Sequence, residues 1–118
     1  MTDDIFFNSL AIDDLIEELR MPTAYGHSVN ETVVLHETHI SWVLLAGRFA
    51  YKIKKPIVND FLDYGTLAKR HHACCEELRL GSRYTSGLCL DIVPITFENG
   101  HIGMDGDSQP IEFAVQMR

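Results

Sequence analysis

Three short runs of strand-forming residues follow one another between residues 33 and 54. The link between the second and third runs contains Gly47 and Arg48, which suits a tight hairpin turn because glycine can adopt a positive φ angle. Pro56 ends the third run, since proline has no N–H group to donate to a sheet. The sequence therefore predicts an antiparallel meander with strands over residues 33–37, 41–45 and 49–54.

Two segments with helical patterns flank this meander. The first covers residues 6–20, where Asn8 or Ser9 can cap the start and Pro22 ends the helix. The second runs from Thr66 to about Tyr84 and is the longest helix expected in the chain. It contains no proline, and its one glycine lies near its end.

Two or three further strands are expected after the second helix. Strand-like runs cover residues 90–97, 101–104 and 111–117, and Asn99 and Gly100 have the signature of a hairpin turn. The order of helix, three strands, helix and further strands indicates an α+β domain with one antiparallel sheet.

The composition is that of one ordinary globular domain. The 118 residues are 46% apolar and 23% charged, and no apolar run reaches the length of a membrane span. Asp3 and Asp4 stand where a signal peptide would carry positive charge. The net charge of −7 argues against general binding to nucleic acid. We therefore expect a cytoplasmic protein that binds neither nucleic acid nor membranes and whose cysteines are free thiols.

Two lysines share one face of the third predicted strand. Side chains alternate along a strand, so Lys52 and Lys54 lie with Ala50 on one face, opposite Tyr51 and Ile53. A solvent-exposed edge strand with solubilising lysines would explain this pattern.

The long helix offers a second explanation for these lysines. At about 100° per residue, Glu77 falls among Ala73, Leu80 and Tyr84, whereas Glu76 points to the opposite, solvent side. An unpaired charge within an apolar stripe is costly, so Glu77 needs a cationic partner, and the lysines of the third strand are the natural candidates. Alternatively, Glu77 lies at the border of the stripe and reaches water.

A strand lysine paired with a glutamate of the following helix is how protein-kinase-like enzymes hold the phosphates of ATP. The run Phe49-Ala50-Tyr51-Lys52 also has the spacing of the kinase Val-Ala-Ile-Lys motif. The chain resembles the start of bacterial aminoglycoside-phosphotransferase-like proteins. The resemblance is carried by the string Tyr-Lys-Ile-Lys-Lys-Pro at residues 51–56, the Thr-His-Ile-Ser segment at residues 38–41 and the segments 61–63, 69–70 and 76–80. In particular, the chain is similar to the bifunctional aminoglycoside phosphotransferase and ATP-binding branch, and the resemblance covers almost the whole chain.

This resemblance implies a protein-kinase-like N-terminal lobe. Its expected fold is a five-stranded antiparallel sheet with one long packed helix and an extra N-terminal helix. Residues 1–30 would form that helix and its connecting loop, and residues 31–118 the lobe. The family's catalytic and metal-binding residues belong to a C-terminal lobe that would follow Arg118. The chain is therefore expected to be an inactive piece of a longer protein that also carries a P-loop ATPase domain.

The resemblance also implies roles for individual residues around ATP. Lys52 would anchor the phosphates and Glu77 would orient Lys52, with Lys54 and Glu76 as the fallback choices. Ala50 would lie against the adenine ring. No catalytic residue and no metal ligand is expected within the chain itself, because Mg²⁺ would be held by the C-terminal lobe.

Two further segments correspond to nucleotide-binding parts of the family. Thr38 and Ser41 lie where the glycine-rich phosphate loop would be, although this segment contains no glycine. Gln116, Met117 and Arg118 would form the hinge, whose backbone pairs with the adenine edge.

The expected function is that of the ATP-binding lobe of a small-molecule phosphotransferase with a hydroxyl acceptor. The alternative is a non-catalytic regulatory or interaction module attached to a downstream ATPase domain. In either case, a lobe without its partner exposes an apolar surface and can self-associate.

A cluster of histidines and cysteines on the long helix raises a third interpretation, a metal- or anion-binding domain. His71 and Cys75 are four residues apart and could share one ion. However, His71, His72, Cys74 and Cys75 occupy five residues of helix and cannot all converge on one tetrahedral centre. We therefore expect no metal site, and a catalytic cysteine would lack a partner acid beside its histidine base.

Overall fold

The computed structural model describes residues 11–26, 29, 32–84 and 89–118. This described part contains two α-helices, a 3-10 turn at Pro22–Ala24 and six β-strands. The helices are α1 (Ala11–Leu19) and α2 (Leu67–Tyr84), and the strands are β1 (Val34–Glu37), β2 (Ser41–Ala46), β3 (Phe49–Lys54), β4 (Cys89–Glu98), β5 (His101–Met104) and β6 (Pro110–Met117).

All six strands belong to one antiparallel sheet with the spatial order β1-β2-β3-β6-β4-β5. The meander β1-β2-β3 forms one side of the sheet and the hairpin β4-β5 forms the other. Strand β6, which follows all the others in sequence, lies between β3 and β4. The predicted α+β class with one antiparallel sheet is therefore confirmed.

The sheet has six strands, so the expectation of five was wrong. Asn99 and Gly100 have φ angles of 54° and 81°, and two successive positive φ angles reverse the chain within a two-residue turn. The short return strand β5 consequently pairs with β4 over its whole length, from Ile95 opposite Met104 to Glu98 opposite His101. It forms an edge of the sheet.

Helix α2 begins and ends close to its predicted limits. The hydroxyl of Thr66 accepts a hydrogen bond from the backbone N–H of Lys69 at 3.1 Å, which is the contact of an N-cap residue. Helix α1 lies within the predicted segment 6–20, but the predicted start and cap residues before residue 11 lie outside the described part of the chain. Neither described helix is long and apolar enough to cross a membrane.

The main apolar core lies between α1 and one face of the sheet. Helix α1 contributes Leu15, Ile16 and Leu19, and Leu19 is fully buried. Burying a large apolar side chain stabilises a fold by about 1.5–3 kcal/mol, so this face provides much of the stability. From the strands, the core includes Trp42, Leu44, Tyr51, Ile53, Val93, Ile95, Ile102, Met104 and Ala114.

Helix α2 lies on the other face of the sheet. Side chains alternate along β3, and the two lysines that alternate with its core residues, Lys52 and Lys54, both contact Glu77 of α2. Nearer the start of the helix, His71 stacks on Phe113 of β6 with ring centroids 4.0 Å apart.

Both apolar and polar contacts attach the described side chains of α2 to the sheet. Cys74 is fully buried, but Leu80, which periodicity placed in the apolar group around Glu77, is 42% exposed, so that part of the expectation was wrong. Near the start of the helix, Arg70 Nε lies 3.0 Å from Glu112 Oε2, and the Glu112 side chain is only 1% exposed. The ion pairs of Arg70 and Glu77 with the sheet therefore help to hold this helix in position.

The hairpin turn between β4 and β5 requires glycine at residue 100. Gly100 has a φ of 81°, and a Cβ atom added there would meet no other atom within 4 Å. The Gly100→Ala variant should therefore lose about 1 kcal/mol of unfolding free energy through backbone strain alone. Gly26→Ala is the matched control, because a Cβ there also meets nothing within 4 Å. Urea unfolding of both variants measures the difference, and equal losses would contradict the expected strain.

Candidate functional site

A carboxylate of α2 lies between two lysines of β3. Lys52 Nζ donates a hydrogen bond to Glu77 Oε2 at 2.9 Å, and Lys54 Nζ donates one to Glu77 Oε1 at 2.5 Å. Each ammonium group uses a different oxygen, so the carboxylate bridges the two lysines. The predicted ion pair between Lys52 and Glu77 is therefore present, and Lys54 joins it rather than replacing Lys52.

Glu76, the fallback choice for this ion pair, does not take part in it. Its Oε1 atom accepts a hydrogen bond from Arg79 NH2 at 2.7 Å, and both side chains are exposed. Neighbouring helix residues point about 100° apart, so Glu76 and Glu77 cannot both face the sheet. The alternative pairing through Glu76 was wrong.

The three charged groups differ in their exposure. The side chain of Lys54 is 7% exposed, that of Glu77 25% and that of Lys52 31%. Lys54 Nζ also lies 5.6 Å from the ring centroid of Tyr64, within the range of a cation–π contact. Burial alone would raise the pKa of Glu77, but the hydrogen bonds and charges of Lys54 and Lys52 outweigh burial and hold this pKa below its ordinary value.

A row of apolar side chains lies beside the lysines on the same face of the sheet. Directly opposite residues of antiparallel strands share a face, so Val34, Leu45, Ala50 and Met117 form one row across β1, β2, β3 and β6, here called the apolar row. Val34 is 45% exposed and Leu45 38%. Because Lys52 is two residues from Ala50 on β3, it stands about 7 Å further along the sheet.

The segment expected in the place of the phosphate loop is a turn closed by its own hydrogen bonds. The Thr38 N–H donates to the Ser41 carbonyl at 2.9 Å. The Thr38 hydroxyl accepts from the backbone N–H groups of Ser41 at 3.0 Å and Ile40 at 3.3 Å, and it lies 2.9 Å from the Ser41 hydroxyl. These groups are already paired with one another, so a phosphate would have to displace those bonds.

The three residues expected in a hinge lie at the end of β6. Gln116 and Met117 are inside the strand, paired with β3 on one side and β4 on the other. The Gln116 amide donates to the Tyr51 hydroxyl at 3.1 Å. Arg118 follows the strand, and its guanidinium carbon lies 5.8 Å from the ring centroid of Phe49. Of the three, only Arg118 therefore lies beyond the sheet.

Sequence reasoning missed the contacts that hold the segment before α2. Arg70 of α2 pairs with Glu112 of β6 and also donates to the Tyr64 carbonyl at 2.8 Å. Arg70 therefore links α2 and β6 to Tyr64, whose ring covers Lys54. One signal was present in the sequence, because Glu112 interrupts the apolar run of β6. A charged residue in such a run indicates a buried partner of opposite charge.

The histidines and cysteines of α2 form no cluster suited to a metal. In the described part of the chain, no three or more His, Cys, Asp or Glu side chains lie together as metal ligands would. Burial raises the pKa of the Cys74 thiol to about 11, and His71 stacks on Phe113. Since the thiolate is the reactive form, Cys74 is a poor nucleophile at neutral pH.

Removing Lys54 should lower the stability of the fold more than removing Lys52 does. Lys54 is buried, so Lys54→Gln should lower the free energy of unfolding by about 2 kcal/mol. Lys52 is partly solvated, and its removal leaves Glu77 paired with Lys54, so Lys52→Gln should cost less than about 1 kcal/mol. Urea unfolding of the two variants beside the wild type compares them. Losses of equal size would show that the two ion pairs are equivalent.

Glu77 should also give stability a characteristic pH dependence. Its pKa is lower in the folded than in the unfolded protein, so its stabilising effect is full above the unfolded value and is lost as the pH falls through the folded value. The difference in unfolding free energy between the wild type and Glu77→Gln should stay constant from about pH 6 to 8 and shrink below about pH 4. Chemical denaturation at each pH measures this difference.

A buried carboxylate elsewhere, Glu112, does not disturb that difference. Burial raises the pKa of Glu112 in spite of the neighbouring Arg70 guanidinium, so its effect on stability has the opposite sign. Because Glu112 is present in both proteins, its contribution cancels in the difference. A difference that grows on acidification would contradict the lowered pKa of Glu77.

Sequence comparison finds relatives without a described activity. The chain is 35% identical over 91 residues to an uncharacterized protein of Mycobacterium bovis, and equally to uncharacterized proteins of two strains of Mycobacterium tuberculosis. Each match covers 75% of this chain and 17% of the relative, so the chain spans about one sixth of the length of the curated relatives it matches. No protein-family model matches the chain, and no solved structure matches it.

Proposed function

We propose that the chain is the ATP-binding lobe of a cytoplasmic small-molecule phosphotransferase with a protein-kinase-like fold. The observation that carries this proposal is the Lys52–Glu77 ion pair beside the apolar row. A positioned cation next to an exposed apolar surface offers separate contacts for the phosphates and for the base of a nucleotide.

Lys52 is the better placed of the two lysines for contact with phosphate. A lysine ammonium has three donors, and the bond to Glu77 uses one of them. Its side chain is 31% exposed, against 7% for Lys54, so an anion can reach it from solvent. The carboxylate of Glu77 limits the positions of the ammonium group, which reduces the entropy that would be lost on binding.

The apolar row supplies a surface for the base. Ala50 stands at the centre of the row between Leu45 and Met117, and its small side chain lets a flat ring approach the sheet closely. The row and Lys52 lie on one face, about 7 Å apart along β3. A nucleotide on this face would extend from the row toward the lysine, with Arg118 at the end of β6 nearest the row.

The remaining parts of such an enzyme would lie outside the chain. Mg²⁺, the hydroxyl acceptor and the catalytic residues would belong to a C-terminal lobe following residues 31–118, and a P-loop ATPase domain would be a further partner. The matched part is 17% of each mycobacterial relative, which leaves ample length for both in proteins of that kind. The chain alone would then bind nucleotide without catalysing transfer.

A non-catalytic module of a downstream ATPase domain is the second candidate. The turn at Thr38 and Ser41 favours it, because its hydroxyls and backbone N–H groups bond one another. With no glycine in this turn, the backbone cannot wrap closely around phosphates as a glycine-rich loop does. In that case Lys52 and Glu77 would only attach the helix to the sheet.

Titration calorimetry with ATP and with adenosine separates the two candidates. If Lys52 contacts phosphate, Lys52→Gln should weaken ATP binding by at least about tenfold, the loss of one charge-assisted hydrogen bond. Adenosine binding should change by less than about twofold, because adenosine lacks phosphates. This comparison isolates the phosphate contact from any effect on the base.

Lys69→Gln is the matched control for that titration. It removes the same charge from an exposed lysine that pairs with Asp63, so ATP affinity should match that of the wild type. The second candidate predicts that Lys52→Gln and Lys69→Gln bind ATP alike. That result would remove the phosphate role of Lys52 and leave the interaction module as the better proposal.

A further inference from the structure

The side of α2 that meets the sheet carries two opposite charges. Arg70, Cys74 and Glu77 are spaced at i, i+4 and i+7, which places them on one side of the helix. Cys74 is fully buried. At a rise of about 1.5 Å per residue, Arg70 and Glu77 stand about 10 Å apart along the helix axis. Helix α2 therefore presents a cation near its start and an anion about two turns later.

The sheet carries the complementary charges. Arg70 Nε lies 3.2 and 3.0 Å from the two carboxylate oxygens of Glu112 on β6, and Glu77 meets the two lysines of β3. The side chains of Arg70 and Glu112 are 12% and 1% exposed. The pairing of β3 with β6 extends to Ile53 opposite Ala114, so Glu112 lies just past its end. The anion and the cations of the sheet thus belong to different strands.

Together, these contacts define one position of α2 along the sheet. A slide of the helix by one turn, about 5.4 Å, would take both Arg70 and Glu77 away from their partners, and unpaired charges with little access to water are costly. Ala73, Cys75 and Leu78 are also half-buried, but apolar burial is non-directional. Fixing a register is the best-attested role of buried polar and ionic groups.

Arg70 also holds the segment between β3 and α2. Its NH1 group donates a hydrogen bond to the Tyr64 carbonyl at 2.8 Å, and the Tyr64 N–H donates to the Ile57 carbonyl at 2.8 Å. The ring centroid of Tyr64 lies 5.6 Å from Lys54 Nζ. One guanidinium group therefore connects the start of α2 both to β6 and to the residue that covers Lys54.

We propose that Arg70 is a positioning residue: its ion pair with Glu112 sets the register of α2 on the sheet and so brings Glu77 to the two lysines of β3. The bond between Lys52 and Glu77 is kept when a nucleotide binds, and Arg70 supports phosphate binding by holding that bond in place. For this effect on ATP, the inference rests on the proposed function. Arg70 itself is not a phosphate ligand, because it is largely buried and already bonded to Glu112 and Tyr64.

A double variant, Arg70→Met with Glu112→Met, tests the register role without nucleotide. It replaces the ion pair by apolar side chains of similar size and leaves no buried charge without a partner, an exchange that often preserves stability. The lysines hold the pKa of Glu77 below its ordinary value. If α2 loses its register, this pKa should rise by about one unit, as measured by carbon-detected NMR titration of the Glu77 carboxyl group. Urea unfolding checks that the variant is as stable as the wild type.

Titration calorimetry of the same double variant tests the effect on the nucleotide site. ATP should bind about fivefold more weakly, whereas adenosine should bind within about twofold of the wild type. In a Glu77→Gln background, the double variant should have no further effect on ATP affinity, because Arg70 acts through Glu77. A merely structural role for Arg70 predicts a wild-type Glu77 pKa and wild-type ATP affinity once stability is preserved.

Two further variants complete the test. Arg79→Met with Glu76→Met is the matched control, because it removes an exposed ion pair from the same helix and should leave the Glu77 pKa and ATP affinity near their wild-type values. Arg70→Gln with Glu112→Gln replaces the ion pair by two neutral amides and serves if the methionine variant does not fold. It should change both quantities in the same direction, and wild-type values would overturn the proposal.

The outcomes distinguish this inference from the proposed function. An unchanged Glu77 pKa in the double variant overturns the register role of Arg70, whatever the ATP affinity. A raised pKa with unchanged ATP affinity overturns its role at the nucleotide site if Lys52→Gln does weaken ATP binding. If ATP affinity is the same in the wild type, Lys52→Gln and Lys69→Gln, the proposed function is wrong, and the Glu77 pKa still decides whether Arg70 sets the register.

Discussion

The position of Glu77 between two ammonium groups is the interaction on which the arrangement of this chain depends. The carboxylate belongs to α2 and both lysines belong to β3, so one group fixes a helix against a sheet. The attraction between the Glu77 carboxylate and the two ammonium groups is strong because the site is partly desolvated. Because Lys54 is buried, leaving its ammonium group without a carboxylate partner would be costly. Position and charge are therefore coupled: whatever alters the charge of this site also alters the attachment of the helix.

The two faces of the sheet are held by different forces. On one face, α1 and the strands bury a continuous apolar core. On the other face, α2 is attached by the ion pairs of Arg70 and Glu77 and by the stacking of His71 on Phe113. Apolar burial is non-directional and independent of charge, whereas ion pairs respond to charge and to competing ions. The face with the candidate site is thus the one whose contacts a charged ligand can change.

Much of this arrangement could be predicted from the sequence. The meander, the long helix and the pairing of a β3 lysine with Glu77 followed from alternation along a strand and the turn of a helix, whereas the choice of Lys52 over Lys54 came from the family resemblance. The strand-like run at residues 101–104 and the turn at Asn99 and Gly100 were visible in the sequence, but the resemblance implied five strands, and the φ angles of that turn place the sixth strand in the sheet. The shared carboxylate and the burial of Lys54 depend on Tyr64 and on tertiary packing, which periodicity does not describe. The exposure of Leu80 has the same origin.

The central position of β6 has a consequence for how the sheet is assembled. The meander β1-β2-β3 and the hairpin β4-β5 each consist of neighbours in sequence, so both can form from local contacts. Strand β6 joins them, and it pairs Ala50 with Met117 across more than half of the chain. Long-range pairing of this kind is slow because a large loop must close first. During synthesis on the ribosome, β3 would therefore present an open edge until residues 110–117 emerge, which makes this interval the one most exposed to intermolecular strand pairing.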